Sequence, residues 1–223
     1  DYVKNNLKLK LKVVGICNSK KMTFDSDGLD LNSWSNVLET GAYVSPLEFF
    51  ESAKKMNLRN SVVVDVTANA SIAETYAHYL KESIAVIACN KIACSGPLDY
   101  YQELKQLSIK YNAPFLFETN VGAGLPVIDT LNNLVASGDQ IQVIYAVLSG
   151  SLNFIFNNYK GDDKFANIVK QAQLEGYTEP DPRIDLSGVD VARKLLILAR
   201  ESGVSIDMEA IENSSFLPNG AIA

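Results

Sequence analysis

Apolar positions along this chain change rhythm from two-residue alternation to helical spacing and back several times. Residues 9–17 read as a buried strand, with Lys8, Lys10 and Lys12 alternating with leucines as its solvent face. The polar loop Asn18-Ser19-Lys20-Lys21 follows. Residues 22–43 are loop-rich, with Asp25-Ser26-Asp27-Gly28 as a turn and Trp34 as a packing anchor. Helical spacing returns over 46–57, at Leu47, Phe50, Ala53 and Lys54. A β-branched strand is predicted at 61–66, then a helix at 72–80, a strand at 83–88, a helix at 98–111 and a strand at 114–118. Strands alternating with helices across short polar connections predict a parallel sheet with crossover helices. In such sheets the ligand site lies beyond the carboxyl ends of the strands, here Asn18-Ser19-Lys20, Thr67-Ala68-Asn69 and Asn90-Lys91.

That pattern fits a dinucleotide-binding half-sheet, but no Gly-x-Gly-x-x-Gly occurs before residue 20. The one glycine cluster, Val121-Gly122-Ala123-Gly124-Leu125-Pro126, comes late and leads into a predicted helix at 125–137. With two glycines and no strand-loop-helix-acid context it is a weak match to a phosphate loop, and it reads otherwise as a plain backbone turn or as a carbonyl-rich turn that holds a monovalent cation. A strand is predicted at 140–148, followed by Ser149-Gly150-Ser151-Leu152-Asn153 and then a helical stretch to Tyr159, with a further helix at 164–175. Next comes an acidic loop carrying Glu179-Pro180-Asp181-Pro182-Arg183, held extended by its prolines. The helix after it is predicted to start at Ser187 as cap, with Asp190 as the capping-box acid, and to stop at Gly203. Asp190 and Lys194 are four apart and share a face. On a bare helix they would be a surface ion pair worth about 0.3–0.5 kcal/mol. The stiff loop in front of them points instead to a substrate site.

Composition narrows the classes. The chain has 223 residues, 47% of them hydrophobic and 21% charged, ordinary for a globular α/β protein. A net charge of −6 with no basic run excludes a general nucleic-acid binder. No apolar run approaches the ~20 residues needed to cross a bilayer, and no signal peptide opens the chain, so no membrane partner is expected. Three cysteines, Cys17, Cys89 and Cys94, suit a reducing cytoplasm. Their spacing and the single His78 exclude a zinc site built on Cys or His. The first residue is Asp1 and the end, 216–223, has no settled pattern, so the chain is expected to be part of a longer protein.

Five ordered motifs resemble the homoserine dehydrogenase family, in particular the dehydrogenase half of fused aspartokinase–homoserine dehydrogenases. They are Asp65-Val66-Thr67-Ala68, Asn90-Lys91, 118–126, 148–153, and 176–200. The resemblance implies a partial Rossmann-type parallel sheet at 1–120 and a mixed α/β substrate and dimerisation domain at 121–223. It implies NADP- or NAD-dependent reduction of aspartate 4-semialdehyde to homoserine by a homodimer or higher oligomer, fused to an upstream aspartokinase. Lys194 would transfer the proton on the substrate hydroxyl. Lys91 would lie between substrate and nicotinamide, Glu179 and Asp190 would bind the substrate amine, and Gly150 and Ser151 would complete the substrate site. Asn18, Ser19 and Lys20 would meet the adenosine ribose, and Thr67 and Ala68 the nicotinamide. Main-chain oxygens of Glu118, Val121, Ala123 and Leu125 would hold sodium.

A lysine suits the proton-transfer role if burial and a second cation, Lys91, lower its pKa toward neutrality. The carboxylates suit the substrate ammonium. Three departures stand against the family pattern: its first strand and glycine-rich loop lie upstream of Asp1, its C-terminal continuation is absent after Ala223, and Ile184 replaces an acid. The first leads to the expectation that this stretch alone keeps the substrate and dimerisation machinery but binds cofactor poorly or not at all. The competing reading is a cofactor-incompetent assembly or regulatory module. A dehydrogenase acting on another semialdehyde or hydroxy acid is a third, though it gives no reason for the acidic loop. Lys20 and Lys21, with no acid close behind their strand, lean the cofactor toward NADP.

Overall fold

A computed structural model describes residues 2–179 and 181–214. Asp1, Pro180 and the end at 216–223, all named above, lie outside the described residues. After α1 (Tyr2–Asn5), β1 (Gly15–Cys17) pairs antiparallel with β2 (Lys21–Phe24). Asn18 closes that hairpin: its Oδ1 accepts from the backbone N–H of Lys20 and of Lys21, each at 2.8 Å. Past α2 (Trp34–Glu39), β3 (Ala42–Tyr43) returns to β2 and completes a sheet of order β1-β2-β3.

This region corrects three expectations. Only the last three residues of the predicted strand at 9–17 pair, and Leu9 and Leu11 are exposed beside their lysines. Lys-Leu alternation gives a strand two faces, but among the described residues no neighbouring strand pairs with residues 9–12, so neither face is buried. The stretch 22–43 carries two strands and a helix where loop was predicted. Trp34 opens α2 and is 46% exposed, so it is no packing anchor.

α3 (Pro46–Met56) starts as its sequence dictates. Ser45 Oγ accepts from the Glu48 N–H at 3.2 Å and donates to the Glu48 carboxylate at 2.9 Å, and Pro46 opens the helix. Asn57 ends it in the left-handed region at φ 47°. Then β4 (Val62–Asp65), β5 (Ala85–Ala88) and β6 (Phe115–Leu116) form the predicted parallel sheet, order β4-β5-β6. The crossovers are α4 (Ala70–Ala73) with α5 (Tyr76–Lys81), and α6 (Ile92–Ser95) with α7 (Leu98–Lys110). The helix predicted at 72–80 is broken at Glu74-Thr75, where Thr75 Oγ1 donates back to the Ile72 carbonyl at 2.7 Å. Val86 and Phe115 are buried in the main core, whereas Val64, Ile87 and Leu116, in register on the other face, are exposed.

A 3₁₀ turn (Glu118–Asn120) leads to α8 (Val127–Ala136), and then come α9 (Gly150–Asn158), α10 (Phe165–Leu174), α11 (Pro182–Leu186) and α12 (Val189–Glu201). The strand predicted at 140–148 is absent. Its partly buried residues Ile141, Ile144 and Leu148 are spaced three and four apart, not two, and Tyr145 is exposed. The prolines do not hold the acidic loop extended throughout. Asp181 is extended, as a residue before proline must be, but Pro182 opens α11 with Asp181 Oδ1 accepting from the Arg183 N–H at 3.0 Å.

Among the described residues two apolar clusters result. The larger gathers the parallel sheet, α5 and α7, and takes in Val121, Ile128, Leu131, Ile197 and Leu198. The smaller holds Leu152, Ile155, Ala172 and Leu186, with Val191 packed against it. Helix α12 thus spans both. Its far end is tied to α7: the buried Glu201 carboxylate accepts from Tyr101 OH and from Lys105 Nζ at 3.0 and 3.1 Å. Arg200 Nη1 donates to the Cys94 carbonyl at 2.9 Å.

Ile197→Ala should cost about 2–5 kcal/mol, because this fully buried side chain leaves a cavity. Leu195→Ala, at a half-exposed position on the same helix, should cost far less. Urea unfolding midpoints of the two variants check the orientation of α12.

Candidate active site

Lys91 leaves the end of β5, where Asn90 Oδ1 accepts from the Ile92 N–H at 3.1 Å and starts α6. Its ammonium lies 3.3 Å from Asp190 Oδ1. One turn along α12, Lys194 Nζ lies 2.7 Å from Asp190 Oδ2 and donates to the Leu148 carbonyl at 2.7 Å. A single carboxylate thus joins two lysines that arrive from different parts of the chain. Burial pushes the Asp190 carboxyl up, but the Lys194 hydrogen bond and the Lys91 charge outweigh it and hold the group below its ordinary value.

The expected capping roles differ. Ser187 ends α11, donating to the Ile184 carbonyl at 2.7 Å while its Oγ accepts from the Val189 N–H at the start of α12 at 3.3 Å, but the cap position of α12 is taken by Gly188 at φ 77°. A Cβ there would meet only the movable end of the Asn213 side chain, so it is the left-handed backbone that requires glycine. Asp190 is freed from capping and spends both oxygens on lysines.

A cavity of ≈ 380 Å³ opens at this triad, lined among others by Lys91, Gly150, Ser151, Glu179, Asp190 and Lys194. All six residues assigned to chemistry or substrate therefore meet at one place. Asp185 lines it too and was missed by the sequence reading. Its Oδ1 accepts from Ser151 Oγ at 2.7 Å and its Oδ2 from the Glu179 N–H at 2.9 Å, so it ties α9 to the acidic loop. The loop holds several acids, and spacing alone does not separate Asp185 from Asp181, which folds back onto Arg183 at 2.8 Å. Ile184 is exposed and outside the cavity lining, and Arg183 keeps Asp181 as its partner.

The residues assigned to the cofactor are less gathered. Asn18, Ser19 and Lys20 sit exposed at the β1–β2 hairpin, and Thr67 and Ala68 at the exposed end of β4. Of that set only Lys91 lines the cavity. A second hollow of ≈ 340 Å³, bordered by Gly122, Ala123, Leu148 and Asn153, shares Ser149, Gly150 and Lys194 with the first. Its glycine turn runs through the left-handed region at Gly122 (φ 81°) and Ala123 (φ 53°). The Glu118 carboxylate caps α8, accepting from the N–H of Ile128 at 2.9 Å and of Asp129 at 2.8 Å. The Glu118 and Leu125 carbonyls accept from the N–H of Val121 and Val127. Among the described residues no donor lies on the carbonyls of Val121 and Ala123. Free main-chain oxygens fit a hard cation, and among the described residues no group of three Asp, Glu, His or Cys side chains is placed to hold a metal.

Two family models match the chain: the homoserine dehydrogenase NAD binding domain over residues 2–118 and homoserine dehydrogenase over 126–219. A chloroplastic bifunctional aspartokinase/homoserine dehydrogenase 2 of Arabidopsis thaliana is 44% identical over 218 residues, which is 97% of this chain and 24% of that protein. The chain thus spans about a quarter of the length of that relative. Among solved structures, a Candida auris protein of unknown function is 35% identical with a TM-score of 0.84, covering 98% of this chain and 63% of that one. A hyperthermophilic archaeal homoserine dehydrogenase in complex with NADPH is 27% identical with a TM-score of 0.72, covering 90% and 65%.

Because the folded-state pKa of Asp190 is lowered, its contribution to stability is complete above the unfolded value of about 3.9 and is lost as pH falls through the folded one. The difference in urea midpoint between wild type and Asp190→Asn should stay constant from neutral pH down to about 5 and shrink below about 4.

Proposed function

This chain belongs to the homoserine dehydrogenase family, and on that premise we propose that it carries out the reversible NAD(P)-dependent reduction of L-aspartate 4-semialdehyde to L-homoserine, in threonine and methionine biosynthesis. The observation that carries this reading is the convergence of Lys91, Glu179, Asp190 and Lys194 on one cavity.

Lys194 has three N–H donors, two of which Asp190 and Leu148 hold, so one remains for a substrate oxygen. In the reducing direction it gives its proton to the aldehyde oxygen as the carbonyl carbon accepts a hydride. In the oxidising direction its neutral amine takes the hydroxyl proton. The nicotinamide cofactor, when bound, supplies or accepts that hydride. Glu179 and Asp190 hold the substrate ammonium, while the N–H groups at the start of α9, at Gly150 and Ser151, suit the substrate carboxylate. Lys91, beyond the carboxyl end of β5, would lie between the substrate and the nicotinamide.

Residues 1–120 form the cofactor part and 121–223 the substrate and dimerisation part in this reading, although α8 and α12 lend Ile128, Leu131, Ile197 and Leu198 to the core of the first. NADP is the proposed cofactor, with Lys20 meeting the 2′-phosphate. Lys21 is already engaged by the Gly41 carbonyl at 2.9 Å and the Tyr43 ring at 4.2 Å. Sodium at the glycine turn, a homodimer and an upstream aspartokinase belong to the same proposal, the last supported by the fused Arabidopsis relative. So does a reducing cytoplasm, with the three thiols free. Among the described residues no helix is long and apolar enough to cross a membrane. The complete substrate cluster speaks against an assembly module as the main role.

In the full-length protein, Lys194→Ala should lower homoserine-dependent NADP⁺ reduction by about 10²–10⁴-fold. Undiminished turnover in that variant removes Lys194 from its role, and no homoserine-dependent signal from the wild type overturns the reading.

A further inference from the structure

Asp65 ends β4 almost completely buried, yet neither chemistry nor substrate contact has been assigned to it. Its carboxylate accepts three hydrogen bonds. Oδ1 accepts from the Thr67 N–H at 2.7 Å, and Oδ2 from Asn90 Nδ2 at 3.1 Å and from Tyr76 OH at 2.5 Å. Thr67 belongs to the loop assigned to the nicotinamide, and Asn90 immediately precedes Lys91. The same Asn90 Nδ2 reaches the Asn69 carbonyl at 2.9 Å, while Asn90 Oδ1 takes the Ile92 N–H. One carboxylate and one amide therefore tie the two loops together.

We propose that Asp65 is a positioning residue that fixes the Thr67-Ala68 loop and Lys91 at one separation, so that the hydride path and the Lys91–Asp190–Lys194 chain stay in register. This deepens the dehydrogenase reading and rests on it. Burying a carboxylate is costly, and well-packed apolar residues commonly match or exceed the stability of buried ions. The donors say what the charge is for: two of the three come from the loops that carry the proposed cofactor and substrate residues. Only the third, Tyr76, comes from a helix, and its hydroxyl pKa is raised by burial, then by Asp65, so it remains a donor. The path is continuous from Thr67 through Asp65, Asn90-Lys91 and Asp190 to Lys194.

Asp65→Asn puts an NH₂ where Oδ2 accepts from Asn90 and Tyr76. Tyr76→Phe removes a hydrogen bond to the same carboxylate but leaves both loop ties. The two variants, made in the full-length protein, should both lower Tm, but they should differ in turnover. Asp65→Asn should reduce kcat about 100-fold and raise the KM for NADP⁺, while Tyr76→Phe stays within about two-fold of wild type. Amide exchange, which needs no turnover, should rise at 91–93 in Asp65→Asn, where the tie to Asn90 is lost, and stay unchanged there in Tyr76→Phe, with the Thr67 amide protected in both. If Asp65→Asn does not fold, Asn90→Ala serves. It should raise exchange at 91–93 while the Thr67 amide stays protected. Equal behaviour of Asp65→Asn and Tyr76→Phe overturns the proposal, as does unchanged exchange at 91–93 in Asp65→Asn or in Asn90→Ala. An inactive wild type whose exchange follows the expected pattern overturns the dehydrogenase reading and leaves the loop tie standing.

Discussion

Asp190 lies 3.3 Å from the Lys91 ammonium and 2.7 Å from that of Lys194, and two like charges drawn to one carboxylate stay together only while it is ionised. Opposite unit charges about 4 Å apart attract by about 4 kcal/mol at an effective dielectric near 20. Desolvation offsets much of that at a half-buried site. The value of the arrangement is therefore geometric. It sets where two ammonium groups stand, one at the end of a parallel strand and one on a helix that arrives a hundred residues later. Each Lys194 donor committed to Asp190 or Leu148 narrows the directions left for the third.

Packing makes that geometry reproducible. Helix α12 presses Ile197 and Leu198 into the core of the parallel sheet and Val191 against the smaller cluster. Its last turn is held to α7 through Glu201, Tyr101 and Lys105. A helix pinned at both ends has little freedom to rotate Lys194 away from Asp190. Across the cavity, Asp185 holds Ser151 and the Glu179 backbone, so the acidic loop is oriented by a side chain as well as by Pro182 at the start of α11.

Sequence showed most clearly what depends on local pattern. The parallel strands, the helix at 98–111 and the i,i+4 placement of Asp190 and Lys194 follow from periodicity, and the residues assigned to the substrate meet in one cavity. What it did not show depends on partners far along the chain. Whether 9–12 and 140–148 pair as strands is decided by a neighbouring strand, not by their own alternation. Ser187 carries a capping residue type, but Gly188 takes the left-handed turn between two helices and displaces it. Asp185 was hidden because an acidic loop does not say which acid turns inward. Asp65 was quoted only as part of a motif, since its three donors come from Thr67, Tyr76 and Asn90.

The central claim is that one cavity orients a substrate between the carboxylates and the lysine pair. A crystal structure of the full-length protein with homoserine and NADPH, an unreactive pairing of alcohol with reduced cofactor, tests it most directly. The account predicts the substrate amine on Glu179 and Asp190, with its hydroxyl oxygen within about 3.2 Å of Lys194 Nζ. Homoserine bound elsewhere, or turned so that its hydroxyl faces away from Lys194, would contradict it.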